Sequence, residues 1–365
     1  MEIHIEALIC YAVFFSLFVL LLFIAQKDKR LSQIPFLGLF ILLTLFSGLR
    51  YGLGRDFEIY EFMYNNPVHS SSFDFVEPFW QTFIMICRTL GVPFLSWQLL
   101  VSGLTIGLCM YSFRRLCGSY WWMALLSFVL IYSGYFESFN IVRQYLSMSV
   151  VLASYCLLLD KKYGYWFLCC LLSFALHHSA VVFVVIAPFV LFTSERLEAK
   201  SWFLFLIVSF LVGKFFLMPI VDILTQFLPE RYSLYTHSDK VYAMSSDSGV
   251  YPIFLNLTAL FFLYLRQHIQ TSNVLYRQSI DYYLTAIIFY NLFINFEIAA
   301  RLFYYPFMFT FILFPLSFKY SRTKWVSWAL SAILCVFSVF MVKNLGNIEE
   351  PYSKYRTIFD TVIYK

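Results

Sequence analysis

The apolar stretch Ile34-Pro-Phe-Leu-Gly-Leu-Phe-Ile-Leu-Leu-Thr-Leu-Phe-Ser-Gly-Leu49 contains no charged residue and ends directly at Arg50-Tyr-Gly-Leu-Gly-Arg-Asp56. A run of this length is close to what a helix needs to cross the hydrocarbon of a bilayer. Similar apolar runs recur along the chain, and a few arginines, carboxylates and histidines recur at one set of run ends. Ionisable groups at bilayer depth are expensive, so their recurrence indicates a site that handles a charged or polar substrate.

The composition assigns the chain to the membrane proteins. Of its 365 residues, 61% are hydrophobic and only 13% are charged, and the mean hydropathy is +0.73. A soluble domain of this length would need far more polar residues to cover its core. We therefore predict an all-α polytopic membrane protein, a single integral membrane domain over residues 1–365 that is embedded in the lipid bilayer.

Hydropathy predicts about twelve membrane crossings. They lie near 5–25, 34–49, 95–113, 120–136, 141–159, 163–177, 179–193, 201–218, 251–266, 280–296, 301–318 and 325–342. The segment Glu77–Leu90 is predicted to lie along the outer interface as an amphipathic helix and not to cross. This choice keeps the short basic loops, such as Lys27–Arg30, inside the cell, with outer-face loops near 50–94 and 219–250. Loop topology thus explains the net charge of +5, and no nucleic-acid partner is required.

The first candidate site follows the run that ends at Leu49. Two glycines, Gly52 and Gly54, let the backbone bend and approach a ligand closely, and Arg50 and Arg55 bracket that turn. Guanidinium groups bind phosphate bidentately and stay charged, so several of them can neutralise a diphosphate without a metal ion. The alternative is that both arginines only extend to the interface, with Asp56 paired to one of them.

A second candidate is Arg143, which begins an otherwise apolar helix shortly after Glu137. It could extend outward or pair with Glu137, but Gln144 beside it would also need a polar partner, which favours a pair facing a cavity. Near the C-terminus, Glu297 and Arg301 are spaced to form a local ion pair in a helix.

Tyr304 follows on the same span, where it could stack on a sugar ring or simply pack.

Histidine is the side chain whose unperturbed pKa lies near working pH, so His177 is the best candidate for proton transfer. His178 beside it leaves open which of the two acts, and Asp56 is a competing base. A membrane histidine can also be only a hydrogen-bonded packing residue. These side chains lack the spacing of a known metal site, so we expect neither a metal ion nor another cofactor.

The polar residues together resemble the EpsG-like branch of the Wzy-type polysaccharide polymerases. The resemblance spans most of the chain, in order. It consists of R-Y-G-x-G-x-D-x-x-x-Y (Arg50, Tyr51, Gly52, Gly54, Asp56, Tyr60), Glu77, I-x-R-Q (Ile141, Arg143, Gln144), H-x-S-A (His177, Ser179, Ala180) and R-x-x-Y (Arg301, Tyr304).

This resemblance implies a bacterial inner-membrane glycosyltransferase whose multi-helix fold is similar to the GT-C class. Such proteins join oligosaccharide repeat units carried on undecaprenyl diphosphate, at the periplasmic face in Gram-negative cells. The polymer could be O-antigen, capsule or exopolysaccharide, and a chain-length regulator is a partner that the resemblance leaves open.

We expect an acceptor hydroxyl to displace the diphosphate directly at the anomeric carbon of the donor. In this hypothesis the cationic groups stabilise the departing diphosphate, and His177, His178 or Asp56 removes the acceptor proton. The cationic groups are Arg50, Arg55, Arg143 and Arg301. The expected sugar contacts are Tyr51, Tyr60, Glu77, Glu137, Gln144, Glu297 and Tyr304.

Two other classes would also place cationic groups in a cavity. A flippase or other transporter of lipid-linked oligosaccharides should use sites reachable from both faces, whereas the predicted topology puts the unusual charges on one side. The second class is a different enzyme at the periplasmic face. An O-antigen ligase would transfer finished polymer to a lipid A core, and a membrane acyltransferase would transfer an acyl group.

Overall fold

The computed structural model describes residues 5–27, 33–54, 56–67, 76–217, 249–269, 273–294, 297–321, 323–345 and 355–357, with the backbone alone at 5–6, 297–298 and 356–357. Most of these residues, 86%, are helical, which confirms an all-α fold. The chain forms two compact units, one of Met1–Val181 with Ser327–Lys365 and one of Val182–Val326. The single integral membrane domain stays a prediction.

The first unit contains eight helices before its C-terminal return. They are α1 (Ile5–Lys27), α2 (Gln33–Gly48), α3 (Phe57–Asn65), α4 (Pro78–Thr89), α5 (Phe94–Cys117), α6 (Trp121–Leu130), α7 (Val142–Leu159) and α8 (Tyr163–Leu176) among the described residues. A two-residue strand, β1 (Arg50–Tyr51), follows α2, and short 3₁₀ turns lie at Gly118–Tyr120, Glu137–Phe139 and His178–Ala180.

The second unit is also helical throughout its described part. Its elements are α9 (Val181–Thr193), α10 (Ala199–Leu211) with a π-helical turn at Val212–Phe216, α11 (Val250–His268), α12 (Val274–Leu292), α13 (Glu297–Ala300), a 3₁₀ turn at Arg301–Phe303, α14 (Tyr304–Phe307) and α15 (Thr310–Tyr320). Helix α16 (Lys324–Leu345) then leads into the C-terminal part of the first unit, where β2 (Arg356–Thr357) lies.

Six helical segments of the described residues are long and apolar enough to cross a membrane. They are Ala7–Lys27, Phe94–Leu130, Val142–Leu159, Ala199–Phe216, Arg301–Tyr320 and Lys324–Leu345. Three shorter apolar helices, at Gln33–Gly48, Tyr163–Leu176 and His178–Thr193, coincide with other predicted crossings. A polytopic membrane protein is therefore supported, and the number of twelve crossings stays a prediction.

One predicted crossing is shorter than expected. Helix α6 ends at Leu130, although the apolar run continues toward residue 136. The chain turns back here, since Tyr135 N donates to Phe128 O over 2.8 Å. Only a glycine fits at position 134, because a Cβ there would lie 2.1 Å from Phe128 O.

Helix α4 is the segment that was predicted to lie along the interface, and the helix is confirmed. Its 12 residues span about 18 Å, too short to cross the hydrocarbon. Trp80 and Ile84 on one face are fully buried, whereas Phe79 and Ile86 on another are exposed. Such a helix buries one apolar face in protein and leaves a second for lipid. Its position at the outer interface stays a prediction.

Serine side chains bring α7 and α8 close together. Ser147 and Ser173 join their hydroxyl groups over 2.7 Å, and each hydroxyl also lies within 3.0 Å of the other residue's carbonyl oxygen. Small residues with short hydrogen bonds allow membrane helices to approach closely. Ser147 lies one turn after Arg143 and Ser173 one turn before His177, so this contact draws those two side chains to the same place.

The C-terminal segment returns to the end of α2. Strand β2 pairs antiparallel with β1, and Arg50 lies opposite Thr357. Tyr355 donates its hydroxyl to Phe46 O over 2.8 Å and stacks on the Phe46 ring at 4.2 Å. Residues 355–357 therefore lie at the same end of this unit as Arg50.

Candidate functional site

Three predicted site residues that are distant in sequence meet in the first unit. Glu77 lies between the other two: one carboxylate oxygen forms an ion pair with Arg143 Nη1, and the other lies 2.5 Å from His177 Nδ1. Arg143 Nε donates to the hydroxyl of Tyr60 over 3.3 Å, and the guanidinium lies over the Tyr60 ring. We call Tyr60, Glu77, Arg143 and His177 the Glu77 cluster.

Each member is held at the end of a helix or on a short one. Glu77 directly precedes Pro78, whose ring suits the first position of α4. Arg143 lies in the first turn of α7, where the helix dipole disfavours a cation and Glu77 compensates for it. His177 follows the last residue of α8, with extended backbone that ends the helix. The chain therefore breaks between α8 and α9 at the two histidines.

The carboxylate is hidden while its two partners reach the surface. The side chain of Glu77 is 5% exposed, against 22% for Arg143 and 23% for His177. Burial alone would raise the pKa of Glu77, but the hydrogen bond from His177 and the charges of Arg143 and His177 outweigh it and lower the pKa to about 2. Glu77 is therefore ionised at neutral pH.

The ionised state of Glu77 determines which nitrogen of the His177 ring carries the proton. An ionised carboxylate only accepts hydrogen bonds, so the proton of a neutral His177 ring resides on Nδ1 and donates to Glu77. The lone pair is then on Nε2. This nitrogen can accept a proton while the carboxylate orients the ring. Arg143 supplies a partly exposed cation beside this base. The cluster thus combines a proton acceptor with an anion-binding group.

The lowered pKa of Glu77 predicts a loss of stability in acid. Its ordinary value is about 4.5 and its folded value about 2, so ionised Glu77 stabilises the fold above pH 4.5 and this contribution disappears as the pH falls toward 2. We expect the difference in Tm between the detergent-purified wild type and Glu77→Gln to narrow over that interval. A difference that stays the same between pH 4.5 and pH 2.5 would contradict the assignment.

Arg50 directs its guanidinium at main-chain carbonyl groups. It donates to Ser47 O, to Phe139 O over 3.2 Å and to Leu53 O over 3.4 Å, and it is 4% exposed. Gly54 packs on the carbonyl group of Phe139. Its φ is +99°, and a Cβ there would lie 2.7 Å from Phe139 O. This geometry favours a structural role for the turn. A diphosphate contact by Arg50 stays a prediction.

The residues around this turn have separate positions. Tyr51 lies on β1, and the centroids of its ring and the Phe57 ring are 5.4 Å apart, edge to face. Half-buried Asp56 precedes α3, and its main-chain carbonyl oxygen accepts a hydrogen bond from Tyr60 N. Arg55 lies outside the described residues. Gln98, which the sequence did not single out, donates to Gly48 O and Arg50 O over 2.8 and 2.9 Å and so anchors the turn.

Two further predicted contacts lie just before and within α7. Gln144 is buried, and Glu137 accepts a hydrogen bond from Asn140 over 3.4 Å. The possible pairing of Arg143 with Glu137 is not observed, because Arg143 pairs with Glu77. Glu77 itself, predicted as a sugar contact, has both oxygens engaged, which favours an orienting role; the sugar contact is untested.

His178 lies apart from the cluster. Its side chain is exposed and its ring is 5.0 Å from that of Phe174, on α8.

The remaining candidates belong to the second unit. Arg301 begins a 3₁₀ turn, half-buried, and Tyr304 follows with its ring 5.3 Å from the Phe303 ring. The side chain of Glu297 lies outside the described side chains, so its pairing with Arg301 stays a prediction.

Within the described residues, no three His, Cys, Asp or Glu side chains converge where they could hold a metal ion.

The sequence was also compared with known proteins. No curated protein and no solved structure gives a significant match. The model of the EpsG family matches residues 33–357, which include every member of the Glu77 cluster as well as the turn at Arg50 and the C-terminal strand. Because this match covers most of the chain, the protein belongs to the EpsG family and is a membrane protein of the polysaccharide-polymerase type.

Proposed function

We propose that this protein polymerises oligosaccharide repeat units carried on undecaprenyl diphosphate, at the outer face of the bacterial inner membrane. The Glu77 cluster is the observation that carries the proposal. It joins an oriented imidazole to a partly exposed guanidinium, and glycosyl transfer from a lipid diphosphate needs a proton acceptor and a group that stabilises a departing anion.

In the proposed reaction, a hydroxyl oxygen of the acceptor sugar attacks the anomeric carbon of the donor. The new C–O bond forms as the bond from that carbon to the diphosphate oxygen breaks, and the electron pair leaves with the diphosphate. Nε2 of His177 takes the hydroxyl proton, while Glu77 stabilises the imidazolium that results. Arg143 stabilises the leaving diphosphate, and no metal ion takes part.

The other residues have supporting roles in this proposal. Tyr60, which is 7% exposed, holds the Arg143 guanidinium by accepting a hydrogen bond from its Nε, and a sugar contact by Tyr60 stays a prediction. Arg55 and Arg301 are further candidates for the diphosphate, and Tyr304 for stacking on a sugar. A chain-length regulator that binds the protein would be a separate partner, outside this chemistry.

The test is a gel of surface polysaccharide from a deletion strain, with a parallel extraction of its lipid-linked precursors. We expect the ladder of polymer lengths to collapse to single repeat units, with unpolymerised carrier-linked units accumulating at the outer face. Wild-type protein restores the ladder.

The same experiment separates the other classes. Loss of a flippase would trap the carrier-linked units at the inner face, and loss of a ligase would leave long polymer on the carrier. Unchanged laddering in the deletion strain would contradict the proposal.

A further inference from the structure

The break after α8 leaves the backbone carbonyl of Leu176 without its helical partner. In a continuous helix, Leu176 O would accept from Ala180 N, but that N–H donates to His177 O over 2.9 Å. Carbonyl groups at a helix end need other donors when they are buried, and Leu176 is 3% exposed.

The donor comes from α4. Trp80, which is fully buried, donates its indole N–H to Leu176 O over 2.6 Å. Trp80 lies three residues after Glu77, on the same short element. Helix α4 therefore contacts the break on both sides of one peptide: Glu77 binds the His177 side chain, and Trp80 binds the carbonyl that immediately precedes His177.

We propose that Trp80 is a positioning residue that holds the backbone at His177 so that Nδ1 stays on Glu77. Glu77 and Trp80 belong to one short, rigid element and cannot move independently. This element therefore fixes both the His177 ring and the carbonyl group that precedes it. The inference deepens the proposed function, since His177 is its proton acceptor. Positioning matters there because small displacements of a catalytic group reduce rates strongly.

The chain offers a matched control in Trp97. It is 2% exposed and packs against Trp80 with ring centroids 5.9 Å apart, in the same apolar cluster. Its indole N–H has no hydrogen-bond partner among the described residues. Trp97→Phe therefore removes a buried indole of equal size without removing a bond, whereas Trp80→Phe removes the bond to Leu176.

The experiment uses the full-length protein, labelled with ¹⁵N-histidine and reconstituted in lipid bilayers for NMR. The His177 signals are assigned by their loss in His177→Asn. We expect Trp80→Phe to shift the Nδ1 signal of His177 and to mix its two tautomers, and Trp97→Phe to leave both unchanged. Should Trp80→Phe fail to fold, the Trp isostere β-(3-benzothienyl)alanine at position 80 removes the donor and keeps the shape.

Activity is measured on the same samples, with lipid-linked repeat units extracted from the deletion strain as the probe. We expect a rate roughly tenfold lower for Trp80→Phe, the factor that corresponds to one lost hydrogen bond, and no change for Trp97→Phe. An unchanged His177 signal in the Trp80 variants would overturn the positioning role. If the signal moves but His177→Asn still polymerises normally, Trp80 does position His177, and the proposed function of His177 is wrong.

Discussion

Replacing Arg143 with alanine should abolish the polymer ladder while the protein remains in the membrane. We expect the rate of polymerisation to fall on the order of 10²–10³-fold, the usual effect of removing one preorganised group that stabilises developing negative charge. The structure adds a reason beyond the lost cation. Without Arg143, buried Glu77 loses its guanidinium partner, so the imidazole would be held by a carboxylate that lacks this counter-ion.

The same change should also destabilise the protein. Breaking a buried ion pair typically costs about 3–5 kcal/mol, and we expect less here because His177 still donates to Glu77 and the Arg143 side chain is 22% exposed. Arg143→Lys tests whether charge alone is enough. A lysine keeps the charge but has no planar fork to reach Tyr60 and Glu77 together, so we expect partial recovery of the ladder.

Arg115→Ala is the matched control for Arg143→Ala. Arg115 belongs to the same unit and pairs with Asp160 over 2.9 Å, but its side chain is 54% exposed. This pair joins the ends of α5 and α7, about 26 Å along α7 from Arg143. We expect an unchanged ladder. Normal polymer from Arg143→Ala, or equal losses from both variants, would show that Arg143 has no specific role.

Replacing His177 with asparagine should reduce the rate on the order of 10²–10⁴-fold, the range that general-base catalysis supplies. Asparagine is the informative substitution, because its amide N–H₂ can take the place of Nδ1–H and still donate to Glu77. The fold of the cluster should then survive while the proton acceptor is lost. The assay uses purified protein and extracted lipid-linked repeat units, with Tm measured in parallel.

His178→Asn is the control for this variant. The two histidines are neighbours in sequence, yet the His178 side chain is exposed and its ring lies 5.0 Å from the Phe174 ring, whereas His177 bonds to Glu77. We expect a wild-type rate. Loss of activity in His178→Asn with full activity in His177→Asn would reverse the assignment and would point to a different proton acceptor.

Much of the fold could be predicted from hydropathy alone. An apolar run must satisfy its backbone hydrogen bonds internally in a bilayer, so its length and composition predict a helix. The runs at Ile34–Leu49 and 141–159 are indeed helices α2 and α7 within one or two residues. The run at 120–136 forms a shorter helix than its length predicts, because the turn at Gly134 depends on tertiary packing that composition does not report.

The candidate site could be predicted only in its residue types. Arg50 and Arg143 are both cations at an end of an apolar run. Their positions in the sequence therefore do not distinguish them. The structure separates them: Arg50 bonds to main-chain carbonyl groups of Ser47, Leu53 and Phe139, and Arg143 bonds to the side chains of Glu77 and Tyr60.

By itself, the sequence determined the class of the molecule, the positions of most helices and the set of polar residues from which a site could be built. These properties follow from local quantities: hydropathy, charge and the spacing of motifs. Only the tertiary structure decided which of them meet. Glu77, Arg143 and His177 are joined by contacts between residues 66 and 100 positions apart, and the choice of His177 over His178 depends on the direction in which the backbone leaves α8. The packing of α4, α7 and α8 fixes both these contacts and the direction of the backbone at His177. No local sequence pattern encodes that packing.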